Sequence, residues 1–448
     1  MHDVVVIGGG PGGYAAALKA TELGGSVVLV EAAELGGTCV NRGCIATMVW
    51  LKAAEYLRSI REAEAFGVQA KVKKVNLEAI VERKKAVAND IRAGMAGLLE
   101  SRGIEVVQGE AKLSSRTEVQ VGERVLEARA VVIATGSRPE VPAVEGLEEA
   151  GLSTDQILEM TKVPAVVLIV GGGPWEVEIA GILQVLGAEV HLATGPEGLM
   201  PKEDDDVSQR VAKALFDQGV QVHRGAGLAS VRKSGKRHEA SLSGPKEKTM
   251  EVDAILVSSR KPNTAGLGLE AVGVAVNPDA SIRVNERQET SVPGIYAVGD
   301  VTGGWMLSHA ATAMGRVAAE NAMGRRATFS SLKVPRGLWG VPEAASVGLT
   351  QEQAEEEGGE VLVGEFPYAI SGLAMARNEV DGTVKIVSEA RFGEILGVHI
   401  VGSRATELLG EALLAMQLES TAAELGKGMR LHPTFSENLV DAARMMLG

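Results

Sequence analysis

Two stretches of this chain repeat one pattern, and that pattern admits few folds. Val4 to Ile7 is a continuous apolar run of the kind a strand buried on both faces needs. It leads into Gly8-Gly9-Gly10-Pro11-Gly12-Gly13 and a helical stretch, Tyr14 to Leu23. Further on, Ala165 to Val170 is a second apolar run and Gly171-Gly172-Gly173-Pro174 a second glycine turn. Glu176 to Leu186 is then helical, and Glu189 to Ala193 is a strand. The registration is tight: 23 residues separate Gly8 from Glu31, and 23 separate Gly171 from Thr194. A strand, a glycine turn, a helix and a second strand form half of a doubly wound sheet. The predicted class is therefore α/β, with two Rossmann-like dinucleotide-binding domains. Fifty-five glycines and 3% aromatic residues suit a chain with many tight strand-to-helix turns.

The two copies are not equivalent. In the first, Gly8 allows the tight turn, Gly10 lets the backbone approach a pyrophosphate, and Gly13 lets the helix pack on its strand. The next strand, Ser26 to Val30, ends in Glu31, an acceptor for a ribose hydroxyl. A glycine-rich turn without a ligand is the alternative, and the surrounding strand and carboxylate argue against it. The second copy keeps Gly171 and Gly173 but has Glu176 at the register of Gly13 and Thr194 at the register of Glu31. A side chain there is predicted to obstruct helix packing beside the turn, and a carboxylate to repel an anion.

Both cysteines of the chain lie in Gly36 to Met48, at Cys39 and Cys44. Two cysteines in 448 residues make no disulfide framework, and a staple across so short a loop removes little chain entropy. Ile45 to Arg58 has helical periodicity, which puts Cys44 near a helix N-terminus, where a thiolate is favoured. The pair is read as redox chemistry, with two unrelated buried thiols as the alternative. No second cysteine pair or histidine cluster completes a zinc site, and no metal is predicted.

The remaining chain is less pointed. Asn76 to Arg102 is a long charged helical pattern, followed by strand-like runs at Ile104 to Gln108 and Glu118 to Val121. Ala130 to Ala134 is another buried strand, closed by Thr135-Gly136, and Pro139 to Pro142 resembles a crossing between domains. Gly294 to Asp300 is a strand ending in Gly299-Asp300, before a helix from near Leu307 toward Met323. An aspartate there is placed for a ribityl or ribose hydroxyl, or is an ordinary cap. Past Pro335 strands and helices alternate without a phosphate loop, which suggests a separate C-terminal domain. Its one chemically pointed stretch is His432-Pro433-Thr434-Phe435-Ser436-Glu437, in which a carboxylate five residues on could orient the imidazole. The net charge of −13 and pI near 5.2 argue against a nucleic-acid partner. No apolar run reaches the roughly 18 residues that cross a bilayer, so a soluble, cytoplasmic protein without a membrane span is expected.

Taken together, Gly36-Gly37-Thr38-Cys39, Asn41, Gly43-Cys44, Ala134-Thr135-Gly136, Gly299-Asp300 and His432 to Glu437 resemble the flavoprotein disulfide reductases, and among them the dihydrolipoamide dehydrogenases. The resemblance spans essentially the whole chain. It implies FAD on Gly8, Gly10, Pro11, Gly12 and Gly13, with Glu31 on the adenosine ribose and Asp300 on the flavin side. Gly37, Thr38, Ala111, Ala134, Thr135, Gly136, Gly299, Leu307 and Ser308 complete the implied FAD contacts. NAD is implied on the second turn, at Gly171 and Gly173, and Glu178 resembles the family's cofactor-binding glutamate beside the flavin. The implied domains are 1–148 with 262–334 for FAD, 149–261 for NAD, and a C-terminal α+β dimerisation domain over 335–448. A homodimer follows, because His432 and Glu437 in that family reach the other subunit's active site. Cys39 resembles the interchange thiol, Cys44 the thiol against the flavin, and His432, oriented by Glu437, the base. The implied substrate is a lipoyl-bearing protein or a small dithiol.

The chain also departs from the family. Where Pro-Ser-Lys usually follows the second cysteine, it has Ala46-Thr47-Met48, so Glu178 loses the lysine that normally pairs with it. Trp175 replaces a small aliphatic residue, Glu176 a glycine, Thr194 an acidic residue, and a serine near Ser258-Ser259-Arg260 another glycine. The leading expectation is an FAD enzyme that oxidises dihydrolipoyl groups and passes electrons to NAD. A relative with impaired NAD use, exchanging electrons with a protein or quinone, is the second reading. A non-catalytic lipoyl-binding flavoprotein is the third.

Overall fold

In a computed structural model, which describes residues 1–447, the chain forms two parallel-sheet units and an antiparallel C-terminal one. The first unit begins β1 His2–Ile7, α1 Pro11–Glu22, β2 Val27–Glu31, α2 Gly37–Asn41, α3 Cys44–Glu62 and α4 Leu77–Ser101. It continues β3 Glu105–Gln108, β4 Ala111–Ser115, β5 Glu118–Val121, β6 Arg124–Ile133 and β7 Ser137–Pro139. β3, β2, β1 and the second half of β6 lie side by side in parallel, in that order. The first half of β6 pairs antiparallel with β5. Such a sheet is covered on both faces, and Val4, Val5 and Val6 of β1 are wholly buried.

The second unit contains α5 Leu147–Ala150, β8 Gly151–Ser153, α6 Thr154–Ile157, β9 Val166–Val170, α7 Pro174–Val185, β10 Glu189–Ala193, α8 Asp205–Asp217 and β11 Gln221–His223. A three-stranded antiparallel layer follows, β12 Gly227–Ser234, β13 Arg237–Ser243 and β14 Lys248–Val252. β15 Ala254–Val257 then closes a parallel sheet of order β11-β10-β9-β15-β8. β16 Arg260–Pro262 pairs with β7, and α9 Leu269–Val272 leads back to the first sheet. There β17 Ile295–Ala297 pairs with β6, ahead of α10 Ser308–Ala322.

The last unit is a five-stranded sheet, β18 Arg336–Leu338, β19 Ala344–Gly348, β20 Val361–Pro367, β21 Thr383–Glu389 and β22 Ile395–Val401, in the order β18-β19-β22-β21-β20. The short helices α11 Gln351–Glu356 and α12 Gly372–Arg377 are inserted in it. α13 Ala405–Gln417, α14 Ala422–Lys427 and α15 Ser436–Met445 follow it. Among the described residues no helix is long and apolar enough to cross a membrane.

Both glycine turns start their helices earlier than expected, at Pro11 and Pro174, because proline at the first helical position has its φ preset and lacks a donor the helix could not use. α3 carries the second cysteine and is held from behind. Trp50 is 1% exposed, packs with Ala46, Leu51 and Ala54 against the apolar face of α7, and donates its Nε1–H to Leu158 O at 3.1 Å. The sharpest packing constraint lies at the first turn, where a Cβ on Gly13 would stand 1.8 Å from Gly8 O. Gly94, on the exposed side of α4, faces open space instead. Gly13→Ala is therefore expected to destabilise by about 1–3 kcal/mol through overpacking, and Gly94→Ala to stabilise by up to about 1 kcal/mol. Urea-unfolding midpoints moving in opposite directions would bear this out.

Candidate active site

Two backbone reversals bring the cysteines together. Gly36, at φ 90°, starts α2, which carries Cys39 in its first turn. Helix α2 ends where Arg42 N–H and Gly43 N–H both donate to Thr38 O, at 2.8 and 2.7 Å, and α3 begins at once on Cys44. Asn41 is buried and locks this hairpin. Its Nδ2 donates to Leu35 O at 3.0 Å and Gly37 O at 2.9 Å, and its Oδ1 accepts from Arg92 at 2.8 Å.

The two sulfurs are free and lie within hydrogen-bonding reach. The Cys39 thiol donates to Cys44, which brings Cys44 down to about 6 against desolvation; Ser308 Oγ, 3.2 Å from its Sγ, and the N-terminal N–H of α3 assist. The same hydrogen bond, with burial, drives Cys39 far up. The pair titrates as a unit, holding one proton on Cys39 and a thiolate on Cys44. Ser308 is the first residue of α10 and Leu307 its N-cap, so the exposed Cys44 lies at the start of α3 with the N-terminal side chain of α10 beside its sulfur.

Asp300, whose charge is felt at Cys44, follows the left-handed Gly299 and accepts from Ser137 Oγ at 2.6 Å. Arg260 links this carboxylate's support to the cysteine hairpin. Its Nε donates to Ser137 Oγ at 2.8 Å, and its Nη2 to Ser137 O at 2.9 Å and Thr38 Oγ1 at 3.3 Å. Thr135 and Gly136 are held by Asn263, through Thr135 Oγ1 to Asn263 O at 2.8 Å and Asn263 N to Gly136 O at 2.9 Å.

The first glycine turn suits a bound dinucleotide. No side chain caps α1 among the described residues, and a Cβ on Gly10 would find only Gly37 Cα, at 3.7 Å. Pro11, Gly12 and Gly13 form the first turn of α1, in which the Gly12 and Gly13 N–H groups have no intrahelical acceptor and can serve an anion. Gly8 lies against the carbonyl of Ala134, beyond the end of β6. Glu31 ends β2 and accepts from Gly9 N at 2.6 Å and Ala33 N at 2.7 Å, which fixes its carboxylate beside the turn. Ala111 opens β4, just beyond the β3 residues that flank Glu31. These groups fit FAD.

The second turn is filled differently. Glu176 is 5% exposed, and its side chain folds back over Gly171 and Gly173. Cβ atoms there would lie 2.8 Å from its Oε1 and 2.9 Å from its Oε2. It accepts from Ser258 Oγ and from the N–H groups of Gly173 and Glu176 itself. Burial pushes the carboxyl up to about 7. The expected obstruction of helix packing does not occur, since α7 is as long as α1 and starts at the corresponding proline. The side chain escapes into the turn instead, so a dinucleotide phosphate does not fit the seat as it stands. Thr194 Oγ1 accepts from Gly225 N at 3.2 Å and so serves the local loop.

Glu178, 7% exposed, accepts from Trp339 N at 3.0 Å. Burial pushes it up to about 8, and no ion pair reaches it among the described residues. Met48, at the family's lysine position, packs into the apolar cluster shared by α3 and α7. The expected carboxylate without its cation is present, and it is held as the neutral acid. His432 is 80% exposed, with Nδ1 2.9 Å from Glu437 Oε1. Thr434 N–H, at 2.9 Å, and His432 hold Glu437 below the usual carboxylate range.

Arg260, Ser137, Ser258 and Trp339 were not singled out as site residues from the sequence. Arg260 and Ser258 lie in the departing Ser258-Ser259-Arg260 stretch, which was a usable signal. Trp339 acts through its backbone N–H, for which no residue type is diagnostic.

Glu178 also supplies a test. Its carboxyl stands at 4.5 unfolded and about 8 folded, so its contribution is fully present below pH 4.5 and is lost as pH rises toward 8. Glu178→Gln is therefore expected to gain thermal stability relative to the parent between about pH 5 and pH 9. An unchanged difference in melting temperature across that range would mean that Glu178 is ionised and paired.

Residues 2–315 match the pyridine nucleotide-disulphide oxidoreductase family, and residues 334–443 match its dimerisation domain. A dihydrolipoyl dehydrogenase of Thermus scotoductus is 39% identical, covering 99% of this chain and 97% of its own length. One from Bacillus subtilis is 37% identical, covering 99% and 98%. Among solved structures, LpdA of Mycobacterium tuberculosis superposes with a TM-score of 0.91 at 26% identity, covering 98% of each chain. The HOCl-induced flavoprotein disulfide reductase RclA of Escherichia coli gives 0.87 at 26% identity, covering 99% of each. The α/β fold, the paired cysteines and these likenesses together establish the chain as an oxidoreductase enzyme of the pyridine nucleotide-disulphide oxidoreductase family, whose cofactors are FAD and a nicotinamide dinucleotide.

Proposed function

We propose that this enzyme oxidises dihydrolipoyl groups, free or carried on a protein, through Cys39 and Cys44, in a homodimer with shared active sites working in the cytoplasm. The observation that carries the reading is the placing of the two free cysteines on either side of one tight hairpin, Cys39 in α2 and Cys44 at the start of α3 with Ser308 Oγ 3.2 Å from its sulfur. With Cys39 and Cys44 joined as a disulfide, one thiolate of the substrate attacks the Cys39 sulfur and Cys44 leaves as a thiolate. A thiol held near 6 is a good leaving group. The second substrate thiolate then attacks the substrate sulfur of the mixed disulfide, closing the cyclic product and releasing Cys39. Two electrons have passed from substrate to the cysteine pair, and two protons have left the substrate. His432 of the partner subunit, with Glu437 fixing its Nδ1, is proposed to accept a substrate proton at Nε2 and return it to Cys39.

FAD, when bound, supplies the two-electron acceptor against Cys44. Ser308 and the N-terminus of α3 hold negative charge on the Cys44 sulfur, and Asn41 and Arg260 hold the hairpin that carries Cys39. The FAD contacts assigned are Gly8 to Gly13, Glu31, Gly37, Thr38, Ala111, Ala134 to Gly136, Gly299, Asp300, Leu307 and Ser308, within 1–148 and 262–334. Residues 149–261 are assigned to the nicotinamide dinucleotide and 335–448 to dimerisation. A lipoyl group fits as substrate because its two thiols lie on one chain, so closing the product ring releases the enzyme.

Three measurements test this reading. Cys39→Ser and Cys44→Ser should each abolish dihydrolipoamide oxidation; only Cys39→Ser should keep the long-wavelength absorbance that a thiolate gives against oxidised flavin. The band persisting in Cys44→Ser would exchange the two roles. In the reduced holoenzyme the band should fade as pH falls through about 6, and Cys39→Ala should move that fading to higher pH. Finally, mixing Cys39→Ser with His432→Ala under proven subunit exchange should restore about a quarter of parental activity, because half the dimers carry one intact site. No recovery would place His432 outside the partner's chemistry.

A further inference from the structure

The internal repeat supplies its own control for what the second turn should look like. At the first turn the position facing the helix is glycine, and the helix N-terminus is uncapped by any side chain among the described residues. At the second turn the same position is Glu176, and its carboxylate is drawn into the place a phosphate takes at such a turn. It accepts from Gly173 N–H and from its own N–H, the donors that would otherwise serve a bound anion. The hydroxyl that secures it belongs to Ser258, beyond the end of β15 and 82 residues away in sequence. A glutamate that merely tolerated the position would point to solvent, as most glutamates do. This one is 5% exposed and carries the burial penalty of a carboxyl pushed up to about 7. Two of the departures seen in the sequence, at positions remote from each other, are one contact in the fold.

We propose that Glu176 is a resident occupant of the nicotinamide dinucleotide's phosphate seat, latched by Ser258, and that the nucleotide binds only by displacing it. Glu176 and Ser258 thereby set the affinity of the enzyme for its nucleotide. This rests on the reading that a nicotinamide dinucleotide is the electron partner of the FAD enzyme. The physical reason is competition. A helix N-terminus offers about half a unit of positive charge and a few N–H groups, and a carboxylate and a pyrophosphate cannot share them. Binding must break the Ser258 and backbone hydrogen bonds and move the carboxylate out of the seat, all at the expense of nucleotide affinity.

The test is calorimetric titration of the oxidised holoenzyme with NADH and with NAD+, on the parent, Glu176→Ala, Glu176→Gln, Ser258→Ala and the Glu176→Ala/Ser258→Ala double variant. Glu176→Ala should tighten both nucleotides by about tenfold or more, and Glu176→Gln by less, since it removes the charge but keeps the bulk. Ser258→Ala should tighten binding in the parent and add nothing in the Glu176→Ala background, because the serine acts only through the latch. A general loosening of the fold would not give that non-additivity. Flavin reduction by dihydrolipoamide, followed on the same samples, reports separately on the proposed function and on folding. If that reduction is intact while Glu176→Ala and Glu176→Gln leave both dissociation constants within twofold of the parent, or leave binding undetectable, the latch is wrong. If dihydrolipoamide fails to reduce the parent's flavin, the functional reading falls, and the dissociation constants still decide the latch. Should Glu176→Ala not fold, Glu176→Gln and Ser258→Ala decide it by the same criterion.

Discussion

The first N–H groups of an α-helix have no acceptors within the helix, and they carry the positive end of its dipole. Three helix starts in this chain meet that demand in three ways. At α3 the acceptor is a sulfur, that of Cys44, the helix's own first residue, which also lies 3.2 Å from Oγ of Ser308. At α1 the glycine turn leaves the donors uncapped beside Glu31. At α7 a carboxylate from the helix itself fills the turn. The redox centre, the FAD seat and the modified nucleotide seat are thus three answers to one electrostatic requirement, set by which group stands at the helix start.

The chemistry of the sulfur pair follows from proton placement. One proton shared by two thiols settles on the more buried Cys39, and the Cys44 sulfur, with Ser308 and its own N–H beside it, becomes the stabilised anion. This makes the pair asymmetric before any substrate arrives: Cys39 is held as a thiol and Cys44 as a thiolate near 6. The acid beside them is unusual in the opposite sense. Glu178 has a peptide N–H and no cation, so it stays protonated at neutral pH and adds no negative charge near the sulfur. Methionine at position 48 is compatible with a neutral acid, whereas with an ionised one it would leave a buried charge uncompensated.

Where backbone geometry dictates residue type, the sequence was legible. The glycine turns, the strand end at Glu31, the helix start at Cys44 and the His432–Glu437 pairing all follow from short spacings, whereas the strand expected to reach Asp300 stops at Ala297 and Asp300 lies in a short 3-10 turn beyond it. The two parallel sheets followed from the repeat and the separate C-terminal unit from the change of texture past Pro335, while the antiparallel order of its sheet was not read from the sequence. What could not be read was the set of contacts between distant segments. Glu176 was recognisable as an intruder, but its direction depended on Ser258, and the predicted obstruction of the helix became a folded-back carboxylate. Arg260 joins Thr38 to Ser137 across more than a hundred residues, and Trp339 reaches Glu178 through a main-chain group. Helix α2 was also missed, because five residues ending in a broken turn carry no periodicity.

The central claim is that electrons enter through the cysteine pair and reach the flavin by way of Cys44. Anaerobic titration of the holoenzyme with dihydrolipoamide, followed by its visible spectrum, tests it most directly. The account predicts that the first equivalent per subunit produces the long-wavelength band of a thiolate against flavin that is still oxidised, with bleaching only under stronger or further reduction. Bleaching from the first addition, with no such band, would show electrons reaching the flavin without the cysteine pair and would contradict it.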